Sequence, residues 1–242
     1  MSVLSVIVPC LNEADSLPEL VARLEATLGR LFPAPGDAEV LLVDDGSTDD
    51  TRAAIQRIEQ GFPRVRGLRH PTRQGIPAAW RSGVVNARGA WICVLDGDLQ
   101  YEPEQIRHLW EARDQANADI VQGARAMRER RPDMRLLFSR GLNVLLNVGF
   151  GMSLRDNKSG FFLCRRQVLE TLLAFEGRYR HWQCFVMVAA HHHGYRIHQF
   201  ETPFHPRLRG QSAFGRIGLG PALGVAADLF TAVREYRGVI RS

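Results

Sequence analysis

Apolar positions along the chain follow two rhythms. Short unbroken runs occur at Leu4 to Pro9, Glu39 to Val43, Val65 to Arg69, Trp91 to Leu95 and Ile120 to Gln122, and these predict buried strands. After the first run, Leu17, Leu20, Val21, Leu24 and Leu28 recur at helical spacing and form one apolar face. Ser16-Leu17-Pro18-Glu19 has the form of a capping box with Pro in the first turn, and Pro33, Pro35 and Gly36 close the helix as a loop over Leu31 to Asp37. The βαβα alternation predicts an α/β fold, a Rossmann-like, mostly parallel sheet flanked by helices.

The second half is less regular. Helical patterns cover Met134 to Val148, Gln167 to Phe175, Trp182 to His193 and Ile217 to Tyr236, with short strands near Phe161 to Cys164 and at Arg196 to Phe200. His191-His192-His193 sits late in a helical pattern, where successive side chains point in different directions and cannot share a metal. A helix C-terminus, which favours positive charge, accounts for the run.

Composition narrows the class. The 242 residues, 45% hydrophobic, suit one domain with a sizeable core. The longest uncharged run, Ile217 to Ala227, is broken by Gly218, Gly220, Pro221 and Gly224 and falls short of the roughly 20 apolar residues that span a bilayer. Met1 leads directly into the first apolar run without a basic leader, so a cytoplasmic protein is expected, with the inner face of the membrane as a peripheral surface. Cys10, Cys93, Cys164 and Cys184 form no paired motif, which argues against zinc and against a disulfide framework. Net charge is +5, concentrated at Arg125 to Arg140 and Arg207 to Arg216. That pattern favours a phosphate or lipid headgroup as partner and not a nucleic acid.

In an open parallel sheet, ligands bind beyond the carboxyl ends of the strands. The first run ends in Pro9-Cys10-Leu11-Asn12-Glu13, the second in Asp44-Asp45-Gly46-Ser47-Thr48-Asp49 and the fourth in Asp96-Gly97-Asp98. Carboxylates gathered at one rim repel unless a cation or a set of donors lies among them. Gly97 is expected to let the backbone turn so that Asp96 and Asp98 face one cleft, where hard oxygens suit Mg²⁺ or Mn²⁺ completed by substrate phosphates. Ser47, Thr48 or Asp49 also fits as the cap of a helix through Ile55 and Ile58, while Asp44 and Asp45 are placed for a ribose or base.

These linked motifs resemble the family 2 inverting glycosyltransferases with the GT-A fold, and Gly75, Ala79, Gly83, Pro103-Glu104 and Gly123-Ala124-Arg125 extend the likeness over nearly the whole chain. The resemblance implies a nucleotide-sugar-binding half over 1–125, in which Pro9, Asn12, Glu13 and Asp45 contact the nucleoside and Asp44 lies in the same pocket. Asp96, Gly97 and Asp98 would serve the metal and diphosphate, with Arg125 and Arg135 as added donors. Residues 126–242 would form a helical acceptor-side half ending in an amphipathic helix that suits a membrane surface, the core or a second copy.

Within the family, Asp156-Asn157-Lys158-Ser159-Gly160-Phe161-Phe162 and Arg207-Leu208-Arg209-Gly210-Gln211-Ser212-Ala213-Phe214-Gly215 resemble the acceptor motif and basic loop of the polyprenyl-phosphate branch. Ala213 stands where that branch usually has Lys, so Arg207, Arg209 and Arg216, with Ser212, would have to hold the phosphate. A lipid-phosphate acceptor needs no base. A sugar hydroxyl does, and Asp156 is then the candidate beside Asp98 and Arg125. Two other classes compete. A haloacid-dehalogenase-type phosphatase would want Thr or Val where Gln100 stands, and a non-catalytic sugar-nucleotide binding module would use the same ligands without turnover.

Overall fold

The structure, a computed structural model, describes residues 3–34, 36–126, 134–175, 177, 179, 181–206 and 219–236; the side chains of 134–138, 219–223 and 226 lie outside this description. Strands β1 (Leu4–Cys10), β2 (Ala38–Asp44), β3 (Val65–Arg69), β4 (Trp91–Val94), β5 (Ile120–Arg125), β6 (Phe162–Arg165) and β7 (Ile197–Thr202) form one sheet. Their order is β3-β2-β1-β4-β6-β5-β7. Strand β1 pairs in parallel with both β2 and β4, and β7 with β5, whereas β6 runs antiparallel between β4 and β5. The strand order reverses between β1 and β4, the switch point at which open α/β sheets leave a crevice.

Alternation along β1 splits the core. Leu4, Val6, Val8 and Cys10 face α1 (Leu17–Leu31), α2 (Thr51–Gly61) and α4 (Ile106–Gln115). Ile7, with Leu41, Val43, Ile92 and Val94, faces the other layer: α3 (Ile76–Asn86), α5 (Met134–Phe150), α6 (Arg166–Leu173), α7 (Val186–His192) and α8 (Leu219–Tyr236). Every residue of β2 is buried, as expected for a strand covered on both faces. Trp80 of α3 makes edge contacts with Phe162 of β6 at 5.6 Å and with Trp182 at 6.2 Å. Such pairs add about 0.5–1.5 kcal/mol each beyond their buried area, here tying the first half of the chain to the second. Gly83 lets α3 lie directly on β1, since a Cβ there would stand 2.5 Å from Ile7 Cγ2.

Several local expectations change. Ser16 is helical at φ −90° and makes no side-chain cap; its hydroxyl donates elsewhere, so the capping box is absent. Helices α3 and α4, unmarked by the apolar rhythm, are present. Helix α4 buries only Ile106 and Leu109, and α3 uses Ala79 and Gly83 where larger residues would have made a period visible. The Trp182 to His193 pattern is a 3₁₀ turn, Trp182–Cys184, followed by α7. His191 and His192 occupy the last turn of α7, and partial desolvation and the neighbouring His192 hold the His193 imidazole below its usual pKa. The four cysteines are buried free thiols, and burial pushes the Cys184 thiol up to about 11.

Candidate active site

One edge of the sheet collects nearly every candidate. The parallel strands β1, β2, β3 and β4 deliver their carboxyl ends there, followed by Asn12, Asp45, His70 and Asp96. Strand β6 runs the other way, so the segment before it, Asp156 to Gly160, reaches the same edge. There it meets Arg125 at the end of β5 and Thr202 at the end of β7. Pro9 costs the ladder nothing, because β1 has already passed the last residue it pairs with in β4, Val94 opposite Ile7.

On the half of this edge after β1, β2 and β3, backbone amides answer the carboxylates. Asp44 Oδ1 accepts from Ser47 N (2.8 Å). Its Oδ2 is buried without a hydrogen-bond donor among the described residues, with Arg69 Nε at 3.9 Å. Asp45 Oδ1 accepts from Gln74 N and His70 Nδ1, and Oδ2 from Gly75 N, all within 2.7–2.8 Å. Gly46 is required twice over: its φ is +74°, and a Cβ would meet Arg73 N at 2.5 Å, so the loop after β3 packs directly on the loop after β2.

The β1–α1 loop is bound to the β2–α2 loop with equal density. Asn12, at φ 58°, takes Ser47 Oγ on its amide (3.0 Å), and its Oδ1 accepts from Thr48 N (2.9 Å). Glu13 N donates to Thr51 Oγ1 (2.8 Å), and Thr51 in turn donates to Asp49 Oδ1 (2.5 Å). Ser47, Thr48 and Asp49 therefore lock two loops together, and Asp49 Oδ1 also accepts from Thr51 N (3.0 Å), the first amide of α2, whose N-cap Asp50 makes no side-chain bond. Ser16 extends the lock: its hydroxyl bonds Glu13 Oε2 (3.0 Å) and Gly97 O (2.8 Å), joining this loop to the turn after β4.

At that turn the left-handed residue is not Gly97 but Leu99, at φ 59° and buried. A bulky residue held there stores roughly 1–2 kcal/mol of strain, a burden the surrounding contacts must impose. Gly97 serves close packing instead: a Cβ would stand 3.4 Å from Pro9 O and 3.6 Å from Glu13 Cγ. Asp98 is buried and accepts from Gln100 N (3.1 Å). Beyond it, His205 N donates to Gln100 O and Gln100 Nε2 donates to His205 O, while His205 Nε2 meets Glu102 Oε1 at 2.8 Å. The strand that leads towards Arg207 is thus tied two residues from Asp98.

The half built from β5, β6 and β7 uses a side-chain cation. Arg125 donates from Nε to Asp156 Oδ2 (2.6 Å) and from Nη2 to Oδ1 (2.9 Å), a forked pair inside the protein. Burial works against the Asp156 anion, but the Arg125 bonds and charge outweigh it and hold the carboxyl below the usual range. Burial likewise works against the guanidinium, and Asp156 reverses it, raising its pKa. Around this pair Tyr101 OH meets Ser159 Oγ (2.8 Å), Ser159 Oγ donates to Gly123 O (2.6 Å), and Gln199 Nε2 donates to Asp156 O (2.8 Å). Asn157, fully buried, is held by Asn143 and Asn147 of α5 at 2.8–3.0 Å, and Lys158 Nζ reaches Ser139 O (3.0 Å).

Pro9, Asn12, Glu13, Asp44, Asp45, Asp96, Gly97, Asp98, Arg125 and Asp156 therefore share one edge. Arg207, Arg209 and Ser212 lie outside the described residues, as does the side chain of Arg135, which the backbone places in the first turn of α5. His70, Thr51, Tyr101 and His205 take part without having been singled out, and Ser16 was read only as a cap, since each is an ordinary residue type whose role depends on a distant partner. Asp96 and Asp98 suit a hard divalent cation. Among the described residues no group of three or more His, Cys, Asp or Glu forms a complete cage, so such an ion would draw further ligands from phosphate and water. Gly160 packs closely against Asp96: a Cβ there would stand 3.4 Å from its Oδ2 and 3.6 Å from Oδ1.

The family description "Glycosyl transferase family 2" matches residues 5–173. A dolichol-phosphate mannosyltransferase of Pyrococcus furiosus is 33% identical over 172 residues, covering 69% of this chain and 47% of that protein. An undecaprenyl-phosphate 4-deoxy-4-formamido-L-arabinose transferase of Pseudomonas aeruginosa is 30% identical over 237 residues, 96% of this chain and 66% of that one. The chain thus spans about half to two thirds of the length of these curated relatives. Among solved structures, glucosyl-3-phosphoglycerate synthase from Mycobacterium tuberculosis with Mn²⁺, UDP and phosphoglyceric acid superposes with TM-score 0.70 at 18% identity, covering 100% of this chain and 80% of that one. A mannosyltransferase from Pyrobaculum calidifontis with GDP-Man and Mn²⁺ gives 0.66 at 18% identity, over 96% and 63%.

Proposed function

The chain belongs to glycosyl transferase family 2, and on that basis we propose that it transfers a hexose from a nucleoside-diphosphate sugar to a polyprenyl phosphate, with inversion. The observation that carries the reading is the buried Oδ2 of Asp44, an anionic acceptor with no hydrogen-bond donor among the described residues. It lies beside Asp45, at the edge that also holds Asp96 and Asp98. A buried carboxylate oxygen left without a donor is costly, and a ribose hydroxyl or base N–H supplies what it lacks.

In this reading the loops after β1 and β2 hold the nucleoside, and Asp96 and Asp98 hold Mg²⁺ or Mn²⁺ against the diphosphate. The metal, when bound, neutralises charge that builds on the leaving diphosphate. Arg125 offers a fixed positive charge at the same edge, and Arg135, Arg207, Arg209 and Ser212 are assigned to the phosphates of donor and acceptor. An acceptor oxygen attacks the anomeric carbon, the bond from that carbon to the diphosphate breaks, and the nucleoside diphosphate leaves with the electron pair.

The state of Asp156 bears on the acceptor. A carboxylate locked in a forked pair with Arg125 and held below the usual pKa range is a weak base, so its role here is to position Arg125. A lipid phosphate, whose oxygen is already anionic, needs no base, and the curated relatives carry polyprenyl-phosphate names. Among the described residues no helix is long and apolar enough to cross a membrane.

Incubation with radiolabelled UDP-glucose or GDP-mannose, Mn²⁺ and undecaprenyl phosphate tests the proposal. Chloroform-extractable label that EDTA abolishes is the expected result. Label only in a soluble saccharide would overturn the acceptor, free inorganic phosphate would point to a phosphatase, and saturable binding without product would leave a binding module.

A further inference from the structure

His70 is one residue past the end of β3, and its backbone amide donates to Asp44 O (2.8 Å), which extends the β2–β3 ladder and fixes it to the sheet. Its ring is buried between two partners: Nδ1 lies 2.7 Å from Asp45 Oδ1 and Nε2 2.8 Å from Ser82 Oγ on α3. With Nδ1 donating to the carboxylate, Nε2 of the neutral ring accepts from the Ser82 hydroxyl, and one tautomer satisfies both contacts.

Asp45 has three donors, and they differ in kind. Gln74 N and Gly75 N belong to the connection that begins at Pro71, where Pro71, Thr72, Arg73 and Gln74 are all exposed. His70 Nδ1 is the donor that the sheet itself carries. A carboxylate accepts about four hydrogen bonds, and with three taken one lone pair on Oδ2 remains for a ligand. Where that lone pair points is set by the plane of the carboxylate, and that plane is set by the donor on Oδ1 that cannot move with the loop.

We infer that His70 is a positioning residue for the nucleotide-sugar site: it fixes the plane of Asp45 from the sheet, with Ser82 holding the ring from α3. The inference rests on the nucleoside reading of Asp45 given above. It acts on binding and not on the chemical step, because the nucleoside is bound alike in ground and transition states.

Two amide substitutions separate this role from a general packing one. In His70→Asn the side-chain amide takes the place of Nδ1 and keeps a donor for Asp45; in His70→Gln the amide takes the place of Nε2 and leaves Asp45 without it. The dissociation constants of UDP and GDP with Mn²⁺ are measured by calorimetry, the steady-state constants for the nucleotide-sugar with polyprenyl phosphate, and stability by urea unfolding. We expect His70→Gln to raise Kd and donor KM by about tenfold with kcat within about twofold, and His70→Asn to stay within about twofold of wild type in all three. If wild type binds a nucleoside diphosphate while the two variants are equally impaired or equally normal, the positioning role is overturned and the donor site stands. If wild type binds neither nucleotide, the donor reading falls and this role falls with it.

Discussion

The two halves of the candidate edge handle negative charge differently. After β2, Asp44 and Asp45 are held by backbone amides and one imidazole, supplied by loops a few residues away from neighbouring strands. Before β6, Asp156 is held by a guanidinium from another strand, inside the protein. Fixed dipoles solvate an anion without neutralising it, so apart from the Arg69 guanidinium 3.9 Å from Asp44 the rim after β2 keeps negative charge that suits a cation. An ion pair cancels the anion and leaves the acceptor side rigid, at the expense of making each partner depend on the other.

Four changes sharpen or break this contrast. Arg125→Ala should have the largest effect, because Asp156 would be left buried with only the Lys158 ammonium, 4.0 Å away, as countercharge: a loss of about 3–5 kcal/mol in urea unfolding, partly restored in the double variant Arg125→Met with Asp156→Leu. A loss below about 1 kcal/mol would erase the distinction. Asp98→Ala, by contrast, should spare the fold, with an unchanged thermal midpoint by circular dichroism, while transfer falls by about 100- to 1000-fold or more, on the scale of losing one preorganised electrostatic contact. Undiminished turnover would retire the metal assignment. Arg209→Ala should weaken a charge-assisted phosphate contact by about 1.5–3 kcal/mol, read in the Michaelis constants of both substrates.

The smallest effect is that of pH on the Asp156 pair. The folded pKa is depressed, so the stability it contributes is fully present above the unfolded value near 3.8 and is lost as pH falls from there through the folded value. The gap in unfolding free energy between wild type and Asp156→Asn should therefore be constant from about pH 7 to 5 and narrow below about pH 4. A gap that widens on acidification would contradict the pairing.

The same contrast explains what could be read from the chain. Strand ends such as Val43-Asp44-Asp45 announce themselves, because the apolar run and the acidic residues that follow it are contiguous. The helix from Leu17 was legible for the same reason, yet the role of Ser16 was not: a hydroxyl that bonds Gly97, far along the sequence, looks like a cap when only neighbours are visible. Asp156 was nominated as a base from its motif, but its state is set by Arg125, a residue distant in sequence. His70 offered no signal at all, since a lone histidine after a strand acquires meaning only from Asp45 and Ser82. The antiparallel direction of β6 was equally hidden, for a short apolar run does not reveal which way it points.

That direction has a consequence for how such a chain diversifies. Because β5 leaves the candidate edge and β6 re-enters from it, with Gly123 N bonded to Phe161 O at 3.0 Å, everything between them, α5 included, departs from and returns to one place. The segment behaves as a cassette: lengthening or exchanging it does not rethread the sheet, and doubling a flexible loop costs only about 0.6 kcal/mol of closure entropy. On the function proposed above, acceptor preference would be rewritten in that stretch while the proposed donor half is inherited intact.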